Sequence, residues 1–114
     1  MDAERITVLK SLLQCRDNID TLTHDLAKFS WDSEPLIFLT VEDLKKVLEK
    51  YLSKRISINH LEKWANIIES REDIAFDPAK EDVIKDVVFN LANAGINHPI
   101  TDGIIHEMIT QISA

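Results

Sequence analysis

Apolar positions recur along this chain at intervals of three and four. Val8, Leu12, Cys15, Ile19, Leu22, Leu26 and Phe29 follow spacings of 4, 3, 4, 3, 4 and 3, which places them on one helical face. Residues 3–28 read as one long helix, or as two with a break near Asp17-Asn18. A coiled coil gives the same stripe, but about three heptads are short for one. A first helix packed across a small bundle accounts for it equally well.

The pattern then breaks and restarts four times. Ser30 to Pro35 is a polar loop, and Leu36-Ile37-Phe38-Leu39 is a short apolar run. With no second convincing strand to pair with, that run reads as a buried connector. Thr40 has the position of a helix N-cap, with Leu39 and Leu44 placed as a hydrophobic staple. Val41, Leu44, Val47, Leu48, Tyr51 and Leu52 form the apolar face of the helix that follows. Ser57 repeats this grammar with Ile56 and Leu61, and its helix runs through Trp64, Ala65 and Ile68. Asp77-Pro78 reads as a cap followed by proline at the first helical position. The stripe of Val83, Ile84, Val87, Val88, Leu91 and Ala92 comes next, and Gly95 marks its end. Beyond Pro99, Thr101 caps a last helix with Ile104, Ile105, Met108, Ile109 and Ile112 facing inward. The expectation is an all-α compact bundle of five or six helices in a single domain, residues 1–114. Its core comprises Leu44, Leu48, Leu61, Trp64, Ile68, Val87, Leu91, Ile105 and Ile109.

Composition agrees with this reading and narrows it. Hydrophobic residues make up 45% and charged residues 29%, the balance of a globular chain in water. Two glycines and three prolines leave little room for a turn-rich β architecture. No apolar run approaches the roughly 20 residues that span a bilayer, and Met1-Asp2-Ala3-Glu4 lacks the basic start of a secretory signal. No membrane association and a cytoplasmic location are expected. Cys15 is the only cysteine, so no intrachain disulfide forms, and its place on the apolar stripe reads as a small buried hydrophobe.

Charge is where the chain becomes distinctive. The net charge is −7, which disfavours nucleic acid, whose phosphates demand a cationic surface. Residues 1–57 carry net −1 and residues 58–114 net −6. Within eighteen residues stand Glu69, Glu72, Asp73, Asp77, Glu81, Asp82 and Asp86, answered by Arg71, Lys80 and Lys85. This run, net −4, straddles an expected helix–loop–helix junction. The basic segment Lys45, Lys46, Lys50, Lys54 and Arg55 is diluted by Glu42, Asp43 and Glu49 and reads as a solvated helix face.

Catalytic chemistry finds little support. His24, His60, His98 and His106 form no HxxxH pair, and there is no second cysteine for a zinc site. The carboxylates lack a glycine loop, a nucleophile motif or the spacing of a calcium loop. No catalytic residue, metal or cofactor is expected. Glu69, Glu72, Asp73, Asp77, Glu81 and Asp82 are instead suited to Lys and Arg on a protein partner, through charge-assisted bonds and faster encounter. Trp31, in a polar loop beside Asp32 and Glu34, suits either an anchor for that loop or a contact residue.

A small, acidic, helical chain with this carboxylate-rich junction resembles bacterial immunity proteins. The resemblance lies in architecture and charge and rests on Glu69, Glu72, Asp73, Asp77, Glu81 and Asp82. The His-Pro-Ser-Gly-Ser-Asp segment of the DNase-colicin immunity proteins is not found. The resemblance implies a noncatalytic protein that neutralises a cognate toxin, such as a nuclease, by occluding a basic surface. The alternative expectation is a helical adaptor or regulatory domain with no toxin partner.

Overall fold

In the computed structural model the first stripe is cut in two. The structure describes residues 2–15, 19–29, 34–93 and 100–113. Helix α1 covers Asp2–Leu13 and α2 covers Ile19–Leu26. Neither glycine nor proline ends α1. Cys15 adopts a left-handed conformation, φ 52°, and donors from elsewhere in the fold take the last carbonyls. Trp64 Nε1 donates to the Leu12 carbonyl at 2.7 Å, and Lys50 Nζ donates to those of Gln14 at 2.7 Å and Cys15 at 3.0 Å. A helix end leaves such carbonyls without partners inside the helix, and a cation there also suits the helix dipole. Asp17-Asn18 lies outside the described residues.

The remaining elements are β1 (Ile37–Leu39), α3 (Val41–Leu52), α4 (Ile58–Ser70), β2 (Ile74–Phe76), α5 (Glu81–Ala92) and α6 (Asp102–Ser113). The described residues thus hold six helices, as the bundle expectation required. Three of the expected caps are in place, Thr101 among them, its Oγ1 accepting from the Ile104 N–H at 3.3 Å. Thr40 Oγ1 accepts from the Asp43 N–H at 3.2 Å, and the Asp43 carboxylate accepts from the Thr40 N–H at 3.3 Å, closing a capping box. Ser57 Oγ accepts from the His60 N–H at 3.1 Å.

Two expectations are corrected. The run at Leu36 to Leu39 is more than a connector: its last three residues form β1, parallel to β2, with Ile37 beside Ile74, Phe38 beside Ala75 and Leu39 beside Phe76. The α3–α4 pair makes the crossover that parallel strands need. The second correction concerns Asp77-Pro78. The helix there starts at Glu81, not at Pro78. Asp77 instead closes a local turn, its Oδ1 accepting from the Ala79 N–H at 3.0 Å, while its own N–H donates to the Leu39 carbonyl at 3.0 Å and extends the sheet. Gly95 and Pro99 lie outside the described residues.

The most extensive helix contact is between α4 and α5, with α6 lying against α3 and α5, α1 against α2 and β1, and α2 against α4. Leu44, Leu48, Leu61, Trp64, Ile68, Val87, Leu91 and Ile105 are at most 1% exposed, and Ile109 packs partly buried at the margin. The Cα radius of gyration is 13.4 Å, close to the roughly 13–14 Å of a compact chain this long. No helix among the described residues is long and apolar enough to cross a membrane.

Candidate functional site

The acidic run occupies the end of α4, the turn into β2, β2 itself and the start of α5. Its seven carboxylates have different fates. Asp73 has no exposed surface. Its Oδ2 lies 2.9 Å from Arg5 Nη2 and 2.9 Å from Arg71 Nη2, and it also accepts from Arg5 Nε at 3.0 Å. Arg71 Nε donates to Oδ1 at 3.0 Å. Burial alone would push the Asp73 carboxyl up. Hydrogen bonds and positive charge from Arg71 and Arg5 outweigh it and hold the group below the ordinary carboxylate value. Arg5 in turn lies over the Phe29 ring, 5.7 Å from its centre. Asp73 therefore leaves the set of expected contact residues: it pins the α4–β2 turn to α1 and presents no surface to a partner.

Arg71, 4% exposed, sinks with Asp73. The buried pair cancels, so the part of the run left outside keeps its net −4. Glu69, Glu72, Glu81, Asp82 and Asp86 are exposed, and Asp77 is half-buried in its own turn. None of these six joins a salt bridge with another described residue. Glu81 and Asp82 stand in the first turn of α5, where the helix dipole favours a carboxylate. Glu69 is the opposite case: it lies in the last turn of α4, which carries no basic residue, and there the dipole disfavours it.

The fold gathers part of the set around one groove. Glu69, Asp82 and Asp86 line it together with Lys85, Phe76, Val88 and Phe89, enclosing about 430 Å³. A second hollow of about 430 Å³ brings Glu81 and Asp82 toward Gln111 of α6. Glu72 projects from the turn and lines neither. The sequence set thus omitted Asp86, Phe76, Val88 and Phe89. One signal was present: Asp82, Asp86 and Phe89 share a face of α5 through spacings of 4 and 3, off the stripe of Ile84, Val87, Val88 and Leu91, so the aromatic there has no place in the core.

Away from this face, Cys15 Sγ lies 3.3 Å from His60 Nε2. Burial pushes the thiol up, more than the nearby Lys50 ammonium lowers it. Burial also pulls the imidazole down, against the opposing charge of Asp20. Both directions favour neutral thiol beside neutral imidazole, the reverse of the thiolate an activated cysteine needs. Groups of three or more side chains suited to a metal are absent among the described residues. Lys50, one of the basic segment, is committed to the carbonyls that end α1. Trp31 and His98 lie outside the described residues.

Comparison with protein-family models, curated proteins and solved structures gives no match.

Proposed function

We propose that the chain is a noncatalytic protein-binding module of the cytoplasm whose α4–β2–α5 face recognises a basic partner, and specifically an immunity protein that neutralises a cognate bacterial toxin by covering a basic surface of it. One observation carries the reading. The part of the run outside the Asp73–Arg71 pair keeps net −4, and its six carboxylates form no salt bridge with another described residue, on a turn fixed from below by the Asp73–Arg5–Arg71 cluster. Carboxylates on a pinned turn and outnumbering the nearby lysines are ready to meet Lys and Arg, because little backbone ordering remains at binding. Glu69 adds weight, since its position at the end of α4 offers the helix no benefit.

The test begins with copurification and mass spectrometry to identify the partner. Association is then compared with a variant in which Glu69, Glu72 and Asp82 are all replaced by Lys; Asp73 is left alone because it holds the fold. The expected result is an association rate at least about 10-fold slower at low salt, with an unchanged helical circular dichroism spectrum. An unchanged rate and affinity rejects the acidic face as the interface. A toxin gene immediately upstream supports the immunity assignment, whereas a partner that is no toxin turns the reading to an adaptor using the same face.

A further inference from the structure

The groove between α4, β2 and α5 has a chemistry that carboxylates alone do not explain. Its apolar lining is Phe76 of β2 with Phe89 and the nearly buried Val88 of α5, and its carboxylates come from both helices, Glu69 from α4 and Asp82 and Asp86 from α5. Among the described residues Lys85 is the single cation lining it, so the rim they form is net −2. Phe89 is 50% exposed, equalled among large hydrophobic residues of the described chain only by Phe38. Half of that residue left in water forgoes burial that the fold does not collect, and beside the partly exposed Phe76 it forms an apolar patch rimmed by carboxylates, the kind of surface that suits a contact site.

The geometry points to one kind of occupant: a cationic amphipathic segment of a protein partner. Its apolar side chain seats on Phe76 and Phe89, and flanking Lys or Arg side chains reach Glu69 of α4 and Asp82 and Asp86 of α5. Charge complementarity selects this occupant. A neutral apolar segment would desolvate the carboxylates without counter-charge. A purely basic one would leave the apolar floor wet. Anionic membranes and nucleic acid meet a rim of their own sign, and a second copy of this chain brings a net charge of −7. The inference rests on the reading of the acidic face as a site for a basic partner and adds the partner's apolar anchor.

Two synthetic helical peptides test it, both with the same lysines, one with a leucine stripe and one with serine in its place. Each is titrated into the isotope-labelled protein and followed by NMR. The leucine peptide is expected to bind saturably and to shift the amides of Phe76, Val88 and Phe89. Phe89→Ala is expected to weaken it about 10-fold or more, as truncating a central aromatic does. Phe38→Ala is the control: Phe38 is equally exposed, but strand alternation turns it to the sheet face opposite Phe76, and its loss should change affinity by less than about twofold. Equal binding of the serine peptide, shifts mapping elsewhere, or equal effects of the two phenylalanine variants would overturn the inference. If replacing Asp82 and Asp86 by Lys weakens the leucine peptide while Phe89→Ala does not, the anchor is wrong and the acidic face stands. If neither change matters, both ideas fail. Circular dichroism confirms that each variant is folded.

Discussion

Asp73 shows how far a residue's role depends on partners remote in sequence. Arg5, which meets it in space, is 68 positions away, so nothing local distinguished Asp73 from exposed Glu72 or half-buried Asp77. Removing its charge strands two guanidinium groups around a buried site. Asp73→Asn should therefore cost about 3–5 kcal/mol, a large part of the roughly 5–15 kcal/mol that holds a domain of this kind, read as a shift of the urea midpoint. The pH dependence follows from direction. Asp73 titrates in the folded chain below its ordinary 3.8, so its contribution is complete above that value and is lost as pH falls through the lower folded value. The variant should show a shallower loss of stability below pH 3.8 than the parent. His60 acts earlier on the same limb: its folded value lies below the ordinary 6.5, so protonation on acidification favours the unfolded chain, and His60→Gln should flatten the curve just below pH 6.5. Cys15, 4% exposed and with its thiol pushed above 9.0, should resist a disulfide reagent at neutral pH until the chain is unfolded. Rapid modification of the native protein would contradict the burial and the neutral Cys15–His60 contact.

At the scale of elements, what could be read from the sequence was what neighbours in sequence determine. The Thr40 and Ser57 caps and the stripes of α3 to α6 each fall within a few turns, where spacing and side-chain chemistry are sufficient. The strands were not legible in the same way. Ile37–Leu39 and Ile74–Phe76 are three residues each, and neither is a strand without the other. The break after α1 was remote in part, since Lys50 and Trp64 reach its last carbonyls from elsewhere, while the Cys15 N–H donates locally to that of Leu12 at 2.9 Å. The end of α3 offers a direct test of local control. Lys54 N–H donates to the Tyr51 carbonyl at 3.0 Å and Arg55 N–H to that of Lys50 at 2.9 Å, the paired bonds of a Schellman ending. Its left-handed residue, φ 64°, is Lys54 rather than glycine. Lys54→Gly should stabilise the protein by about 0.5–1 kcal/mol, because relief of the left-handed strain exceeds the entropy glycine loses on folding. A lower melting temperature in that variant would mean the exposed Lys54 side chain contributes more than its backbone strain costs.

The whole molecule divides into a half near neutrality and a half at net −6, and this asymmetry has a price in stability. The candidate site was legible as charge, because carboxylates crowd in sequence. It was not legible as a surface, because burial removed Asp73 while helix packing supplied Phe76, Val88 and Phe89. Exposed like charges repel one another in the folded chain, and the six carboxylates of the run outside Asp73 form no salt bridge with another described residue: Lys28–Glu4 and Lys63–Asp20 pair other carboxylates. Added salt screens repulsion as readily as attraction. The melting temperature should therefore rise modestly between about 0.05 and 0.5 M sodium chloride, where a fold relying on surface ion pairs would lose stability. Glu69→Lys sharpens the prediction, since it relieves repulsion from the acidic run and places a cation at the end of α4. It should add a few tenths of a kcal/mol to stability while weakening capture of a basic partner. Gain in one property with loss in the other is the signature of a residue whose placement serves recognition. Loss of stability in Glu69→Lys, measured at low salt where the effect is largest, would show instead that this carboxylate supports the fold.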